Sequence, residues 1–424
     1  MNTLKEIYQD NEERNFIDPS LYSRYRVKAG LRNDNGTGVK VGLTKICDVI
    51  GYKIIHEKKY NIDGQLIYRG YPINYLVNKQ PSDKICGFEE TAYLLIFGTL
   101  PNAEQLKTFR DYLLNFKMGP VDLQYETPNI LNALQIEVLK LYAKDPSADT
   151  DDLEERMMKG LNILASIPLF TFSYARNKVF KSYPYPDRSL AENILCMARG
   201  NDQYTFEEAK IMDTLLMVHA DHGGGNNSTF ANVVISSTGT DIYSCISAAI
   251  GSLKGPKHGG ANCKVTNMFK AIFHEVGFTT DKATLKKIAN RILDKDFFDH
   301  SGLIYGIGHA IYTKSDPRAL LIHEQCEALA KSKGQEEIYN CIHAFEKVAI
   351  EVMKERKGID VCANVDYYSG YVYSLLGIES NLFTPLFAIS RTAGWVSHHL
   401  ENRQSNRKLI RPANVYVGEM EEIK

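Results

Sequence analysis

Three histidines stand in glycine-containing junctions of the chain, where their imidazoles could take part in chemistry. His222, His258 and His309 each have at least two glycines within three positions. A glycine beside a side chain at a helix end lets a ligand approach the backbone N–H groups closely. Each histidine alone is also compatible with a hydrogen-bonded structural role. The setting that they share indicates a common site.

A metal centre is one chemistry that these residues could perform. His219 and His222 have the spacing His-x-x-His, and His258 could add a third nitrogen ligand. However, no Glu or Cys stands at a recognised zinc spacing, and His219 is also placed to border the apolar face of a helix. The sequence therefore favours a site without metal.

Two other familiar motifs are incomplete. The run His222–Gly225 resembles the oxyanion loop of esterases, but the chain has no Gly-x-Ser-x-Gly elbow to carry a nucleophile. Gly306-Ile307-Gly308 lacks the third glycine of a dinucleotide-binding loop, and no Gly-Lys-Ser/Thr phosphate loop is present. These absences argue against an esterase and against a nucleotide-binding fold.

Arginines and one aspartate near the C-terminus could complete the site. Arg391 follows the apolar run 386–389, where a guanidinium needs an anionic partner. A small dicarboxylate would be such a partner, and Arg318 and Arg411 are further cations that could hold it. Asp366 follows an apolar residue and precedes two tyrosines at the expected start of a helix. It is either a site carboxylate or an ordinary N-cap.

Length and composition bound the class of protein. The 424 residues allow two or three domains of roughly 150 residues, or one discontinuous pair. The formal net charge of −1 gives no field that would draw the chain to nucleic acid. No apolar run approaches the roughly 18 residues that cross a bilayer, and the acidic first segment is unlike a presequence. The eight scattered cysteines include no Cys-x-x-Cys pair, so we expect reduced thiols in a cytoplasmic protein.

Hydrophobic periodicity separates a small β element from a helical body. Before about residue 80, residues 52–55 and 66–68 look like short strands around a turn at Asp63-Gly64. From residue 88 onward, apolar residues recur at three- and four-residue spacing almost continuously. We therefore predict a mainly α fold with a small N-terminal β element.

The ends of three helices are marked by local sequence. Thr205 opens a capping box, and its helix should run to about His219. A second helix should run from Asp241 to Lys254 and end with Gly255 in a left-handed cap. A third should begin with Asp316 as N-cap and a proline at its first position. All three predicted ends lie beside the glycine-flanked histidines.

Six motifs that occur in the same order make the sequence similar to the citrate synthase family over most of its length. They are Asp63-Gly64 with Tyr68–Ile73, Phe88–Glu90 with Ala92–Leu95, Asp221–Asn226, Gly255–Asn262, Gly306–His309 through Asp316–Arg318, and Asn364–Asp366. The resemblance implies a mostly helical homodimer that condenses a short acyl-CoA with oxaloacetate. It also implies a large domain of residues 1–261 and 373–424, and a small domain of residues 262–372 that closes over the active site.

The resemblance further implies a role for each motif residue. Asp366 would remove the methyl proton of acetyl-CoA, His258 would stabilise the enol oxygen, and His309 would act as acid toward the oxaloacetate carbonyl. The residues implied to bind the carboxylates and carbonyl of oxaloacetate are His222, Arg318, Arg391 and, from the partner subunit, Arg411. The residues implied to bind CoA are Gly306, Ile307, Gly308 and Lys314.

This chain departs from the family pattern at two positions of the implied CoA site. Ile307 stands where the family more often has an aromatic or small residue. Thr313 stands where the family often has a phosphate-binding arginine, and the neighbouring Lys314 could supply that charge. Both departures concern the implied CoA contacts, and neither affects the three implied catalytic residues.

The implied reaction explains why these residue types are needed. A thioester methyl group is a very weak acid, so a carboxylate removes its proton only if the enolate oxygen receives a hydrogen bond. We predict that His258 is neutral, because a cation is costly in a dry pocket. The chemistry needs no metal and no cofactor besides the CoA thioester.

The sequence leaves the acyl substrate open. A 2-methylcitrate synthase, which uses propionyl-CoA, differs by one methylene in the acyl pocket, worth about 1–3 kcal/mol. A metal-dependent hydrolase built on His219, His222 and His258 is a candidate from another class. A non-catalytic binding protein fits less well, because base, enol donor and carboxylate ligands are all present.

Overall fold

The computed structural model describes residues 4–10, 16–56, 58–121, 123, 127–405 and 408–418. The chain forms two compact units. The first comprises Met1–Leu43 and Ile410–Lys424 and contains the short helices α1 (Leu4–Asp10) and α2 (Ser20–Arg24). The second, Thr44–Leu409, contains the sheet, the remaining helices and almost all of the predicted site residues.

A small antiparallel sheet opens the second unit. Its strands are β1 (Cys47–Ile55), β2 (Lys58–Tyr68) and β3 (Tyr71–Pro72), in the order β1-β2-β3. The predicted β element is therefore confirmed. The predicted turn at Asp63-Gly64 is wrong, because these residues lie inside β2 and the chain reverses between Ile55 and Lys58.

The glycines of this hairpin are explained by close packing rather than by a turn. A Cβ atom at Gly64 would overlap the carbonyl oxygen of Ser315, and one at Gly51 would overlap that of Ile311. The Gly64 N–H also donates to the Ser315 hydroxyl at 3.1 Å. The hairpin thus lies directly against the loop that follows His309, which positions this loop.

Helices make up most of the second unit. They are α3 (Ile73–Asn78), α4 (Gly87–Phe97), α5 (Ala103–Leu114), α6 (Ile130–Lys144), α7 (Leu153–Ala175), α8 (Leu190–Arg199), α9 (Phe206–His219), α10 (Asn227–Ser236), α11 (Ile242–Leu253), α12 (Ala261–Val276), α13 (Lys282–Leu293), α14 (Pro317–Ser332), α15 (Glu336–Lys357), α16 (Val365–Leu375) and α17 (Phe383–Gln404). The prediction of a mainly α fold is confirmed.

The predicted helix starts agree with the observed caps. Thr205 and Glu208 form the capping box of α9, and the Asp241 side chain caps α11. The Asp316 carboxylate accepts the N–H of Arg318 at the start of α14, where proline occupies the first position. These caps use only neighbouring residues, which explains why the sequence predicts them.

The predicted left-handed cap at Gly255 is wrong. Residue Lys254 ends α11 in right-handed helical geometry, and Gly255 does not have a positive φ. A series of turns follows instead, in which the His258 N–H donates to the Gly255 carbonyl at 2.9 Å. These turns carry His258 back toward α10.

The core surrounds α17, which packs on α4, α7, α9, α10 and α11. Every residue from Phe383 to His399 is buried, including Trp395 and Arg391. A helix that is apolar or hydrogen-bonded on all sides is typical of the centre of a large domain. A guanidinium fixed on such a helix is held rigidly.

All eight cysteines are free, and six of them are buried. In the part of the chain that the structure describes, no helix combines the length and apolar character needed to span a membrane.

Candidate functional site

The first group of site residues lies where α9 ends and α14 begins. The rings of His222 and His309 meet edge to face, with centroids 5.1 Å apart. Tyr312 stacks on His309 at 4.7 Å, and the Arg318 guanidinium lies 5.8 Å from the Tyr312 ring centroid. The structure therefore brings the predicted residues His222, His309 and Arg318 together around a tyrosine.

A second group surrounds Phe387 on α17. The centroid of its ring lies 4.6 Å from the guanidinium carbon of Arg391, 4.6 Å from the His219 ring and 6.3 Å from the His258 ring. Phe387 stands one helical turn before Arg391, and this i, i+4 spacing could have indicated their contact. Sequence reasoning did not identify Phe387 as a site residue.

The electrostatic effects join the two groups into one site. Burial, followed by the charge of Arg318 from the first group and that of Arg391 from the second, holds the pKa of His222 well below its usual range. The Nε2 atom of His222 is buried and has no hydrogen-bond partner among the described residues. A neutral imidazole with an unsatisfied nitrogen is suited to bind a polar ligand.

Asp366 occupies the second position of α16 and is not its N-cap. The Asn364 side chain caps the helix by accepting the Asp366 N–H at 3.0 Å. The residue is only partly buried, but its Oδ1 atom is buried and has no hydrogen-bond partner in the described part of the chain. The reading of Asp366 as an ordinary N-cap is therefore wrong.

Burial raises the pKa of the Asp366 carboxyl to about 7. The nearby guanidiniums of Arg318 and Arg391 oppose this rise, and the Asp316 carboxylate adds to it. Such a carboxyl group exchanges a proton near neutral pH, as a general base must.

His258 is held in one tautomer by Ser228, at the start of α10. The Ser228 N–H, which can only donate, points to Nε2 of His258 at 3.4 Å, and the Ser228 hydroxyl lies 3.1 Å from the same nitrogen. Nε2 therefore acts as the acceptor, and the neutral ring carries its hydrogen on Nδ1. Burial and then the Arg391 charge lower the pKa of His258 to about 4, so the ring is neutral at pH 7.

His309 is held in the opposite tautomer by its own loop. Its Nδ1 atom accepts the N–H groups of Ile311 and Tyr312, each at 3.1 Å. The neutral ring therefore carries its hydrogen on Nε2. The two histidines can each donate one hydrogen bond, from Nδ1 of His258 and from Nε2 of His309.

The two buried arginines differ in their partners. Arg318 forms a paired contact with Asp316, with Nε and Nη2 at 3.0 and 2.7 Å from its carboxylate oxygens. Arg391 donates from Nε to the His219 carbonyl at 2.6 Å, while its Nη1 and Nη2 atoms have no hydrogen-bond partner within the residues that the structure describes. Arg391 thus presents two buried, unsatisfied donors, which suit a carboxylate.

The glycine loop before His309 is tied to the segment that leads to Asp366. Gly308 N donates to the Cys362 carbonyl, and Asn364 N donates to the Gly306 carbonyl, both at 2.8 Å. A Cβ at Gly306 would lie 3.0 Å or less from atoms of Tyr367, so glycine is required there. The loop Gly306–Gly308 therefore lies beside the start of α16.

Two predicted residues lie apart from these groups. Lys314 lines a small pocket of about 90 Å³ between its own loop, α14 and α15, which His323 and Glu346 also line. Arg411 belongs to the first unit and is exposed in the single chain.

Among the described residues, no group of three or more His, Cys, Asp or Glu side chains is arranged to hold a metal ion.

Comparison with known proteins identifies the family. A sequence model of the family described as "Citrate synthase, C-terminal domain" matches residues 33–413. The chain belongs to the citrate synthase family.

Relatives in the citrate synthase family match nearly the whole chain. The citrate synthase of Haloferax volcanii is 37% identical over 386 residues, which cover 87% of this chain and 94% of the relative. The 2-methylcitrate synthase 1 of Corynebacterium glutamicum is 33% identical over 366 residues, which cover 83% of this chain and 89% of the relative. Both activities are thus present among similar members of the citrate synthase family.

Solved structures of citrate synthases share the fold. The enzyme from Thermotoga maritima superposes with a TM-score of 0.74 at 28% identity, covering 94% of this chain and 98% of the other. The enzyme from Thermoplasma acidophilum superposes with a TM-score of 0.76 at 26% identity and the same coverage of each chain. The latter structure is a ternary complex with carboxymethyl coenzyme A and oxaloacetate.

Proposed function

We propose that this chain is a citrate synthase, which condenses acetyl-CoA with oxaloacetate and water to give citrate and CoA. The observation that carries the proposal is the composition of one buried site. It contains a carboxyl group of raised pKa, a neutral histidine with a fixed donor, and an arginine with two unsatisfied nitrogens. These are the groups that proton abstraction, enol stabilisation and dicarboxylate binding require.

The first chemical step is proton abstraction by Asp366. With a pKa of about 7, the carboxylate is a stronger base than an ordinary aspartate and is still substantially ionised at neutral pH. The thioester oxygen gains negative charge as the methyl proton leaves, and the Nδ1–H of His258 donates a hydrogen bond to it. A neutral donor suits this step because the ring need not be charged in a desolvated site.

The second step joins the enol carbon to the carbonyl carbon of oxaloacetate. Arg391 and Arg318 bind the carboxylates, with His222 beside them, and fix the orientation of the carbonyl. His309 donates from Nε2 to the carbonyl oxygen and transfers a proton to it as the bond forms. Water then attacks the thioester of the citryl-CoA intermediate, and CoA leaves as the thiol.

The CoA thioester is a substrate here, and the mechanism uses no metal or other cofactor. We propose that Gly306, Ile307 and Gly308 contact its pantetheine or adenine portion, and that Lys314 contacts a phosphate. Support comes from the anchoring of this loop beside Asp366, where the thioester must lie.

Domain closure is the third part of the proposal. The small domain, residues 262–372, carries His309, Arg318 and Asp366 together with the predicted CoA-binding residues. The large domain, residues 1–261 and 373–424, carries His222, His258, Arg391 and Arg411. Closure would assemble the site and exclude water from the enol, with oxaloacetate binding first.

We also propose that the protein is a homodimer in which Arg411 of each subunit completes the site of the other. The described chain has exposed apolar side chains along one face of α6, where Ile136 and Leu139 have 38% and 45% exposure. Such a helix face is suited to burial against a second copy.

The eight free cysteines fit the reducing cytoplasm, and the proposed partners are small molecules rather than nucleic acid or membrane.

The alternative within the family is a 2-methylcitrate synthase, which the similarity to the Corynebacterium relative keeps open. A thiol-release assay with acetyl-CoA and propionyl-CoA tests both. We expect CoA release only when oxaloacetate is present, and about ten-fold or greater preference for acetyl-CoA in kcat/KM. Preference for propionyl-CoA would assign the alternative, and release that does not depend on oxaloacetate would contradict both.

A further inference from the structure

Helices α9 and α14 lie side by side in opposite directions, and each has one end at the proposed active site. His219 is the last residue of α9, and Arg318 lies in the first turn of α14. Half-way along, the Gln325 side-chain amide donates to the Thr214 hydroxyl at 3.0 Å. At the far end, the Lys333 ammonium lies 2.6 Å from the Glu208 carboxylate.

Both contacts join α9 to α14 or to Lys333, the first residue after α14. Arg318, Gln325 and Lys333 are separated by seven and eight residues, which is about two helical turns each. The Lys333–Glu208 pair therefore lies roughly 22 Å along the helix from Arg318. A shift of α14 along α9 would break the distal pair and displace Arg318 by the same amount, because a helix is rigid along its axis.

Glu208 is built to hold a cation in a fixed place. Its side chain is 2% exposed and accepts the Arg199 guanidinium at 2.8 and 3.0 Å. It also accepts the Thr205 N–H, which fixes the carboxylate at the start of α9. Hydrogen bonds from Arg199 and Lys333 outweigh the effect of burial and lower the pKa of Glu208 to about 2, so it is charged at neutral pH.

Lys333 differs from Arg199 in the part of the chain to which it belongs. Arg199 and Glu208 both lie in the proposed large domain, whereas Lys333 lies in the proposed small domain with Arg318. The pair forms one side of an open cleft of about 500 Å³, and the Lys333 side chain is 36% exposed. Loss of Lys333 would therefore remove a contact between the domains without opening a cavity in the core.

We propose that Lys333 is a positioning residue, whose ion pair with Glu208 holds α14 in register on α9 and so places Arg318 to bind oxaloacetate. The proposal rests on the proposed function for the identity of the ligand. It assigns no chemical step to Lys333. Because the pair affects where Arg318 lies rather than how bonds form, its loss should weaken oxaloacetate binding more than it lowers the rate of the bound complex.

The test compares Lys333→Met with Lys333→Arg and Lys331→Met. Lys331 is exposed in the last turn of α14 and forms no ion pair with a described residue, so its variant controls for lost charge. We expect Lys333→Met to raise the oxaloacetate KM about three- to ten-fold, with kcat changed less than two-fold. Lys333→Arg should restore most of the affinity for oxaloacetate. High salt should raise the oxaloacetate KM of the wild-type enzyme toward that of Lys333→Met, because salt screens the ion pair.

Calorimetric titration with oxaloacetate separates this proposal from the proposed function. If the wild-type protein binds oxaloacetate but releases no CoA, the proposed function fails. The ratio of the oxaloacetate Kd of Lys333→Met to that of the wild type still tests the positioning role of Lys333. Equal Kd and KM values for Lys333→Met and Lys331→Met would overturn the positioning role. That role would also be overturned if Lys333→Met lowers only the unfolding temperature, since a merely structural contact would do that.

Discussion

Two carboxylates of the site show how local partners set the charge of a residue. Arg318 forms a two-point contact with Asp316 and, against the opposing effect of burial, lowers the pKa of that carboxyl. Asp366 has no such partner at Oδ1 among the residues described, and burial raises its pKa to about 7. The same residue type thus supplies a permanent anion at one position and a base at the other.

Replacement of Asp366 by Asn should lower the catalytic rate of the enzyme without unfolding it. We expect kcat to fall by about 10²- to 10⁴-fold, because the base is lost while the shape is kept. For the wild-type enzyme, kcat/KM should rise with pH toward a plateau above about 7, as the carboxyl loses its proton. Thiol-release assays across this pH range provide the measurement, and an Asn variant near wild-type activity would refute the role of base.

The raised pKa of Asp366 also predicts a change in stability with a definite sign. Between the ordinary pKa of 3.8 and about 7, the native state keeps a proton that the unfolded chain releases. The carboxyl therefore lowers the free energy of unfolding as pH rises through this range. Asp366→Asn should unfold at higher temperature than wild type at pH 8, with a smaller difference at pH 5. Asp83→Asn, at an exposed position without an ion pair to a described residue, is the control for the amide substitution itself.

At the scale of elements, the site is built from helix ends brought together by packing. The caps at Thr205, Asp241 and Asp316 were predictable because the donor and acceptor are near neighbours in sequence. The sequence did not predict why residue 64 is glycine, because the reason is a contact with backbone that is distant in sequence. It also did not predict the chain path after Gly255, because that path is a series of turns rather than one helix cap. The predicted catalytic and oxaloacetate-binding residues other than Arg411 fall in one region. Ser228 and Phe387 were missed, since neither belongs to a conspicuous motif.

The contact between the hairpin and the loop after His309 can be tested with Gly64→Ala. The added methyl group would collide with the Ser315 carbonyl, so the loop that carries Tyr312 and leads into Arg318 must move. We expect a several-fold rise in the oxaloacetate KM and a loss of about 1–3 kcal/mol in the free energy of unfolding. Gly119→Ala is the matched control, because no atom of the described residues lies within 4 Å of its added Cβ and its φ is not positive. Equal kinetics for the two variants would count against positioning of the loop by the hairpin.

At the scale of the whole molecule, the proposed site needs parts from two domains and from two subunits. Arg391 has two unsatisfied nitrogens, and His222 has one, in the described residues of a chain considered alone. Buried polar groups of this kind are costly unless a ligand or a partner satisfies them. Oxaloacetate would satisfy those groups, and Arg411 of a second subunit would add the remaining cation that a dicarboxylate can use.

Subunit exchange between two inactive variants tests this sharing. Arg411→Ala and His309→Ala should each lack activity as pure dimers, because one removes the contributed arginine and the other the acid. In a mixed dimer, one site combines His309 of one subunit with Arg411 of the other and is complete, whereas the second site lacks both. Random exchange makes half of the dimers mixed, so activity should recover to roughly a quarter of wild type. If tagged subunits prove that exchange has occurred and no activity returns, each site must be completed within its own subunit.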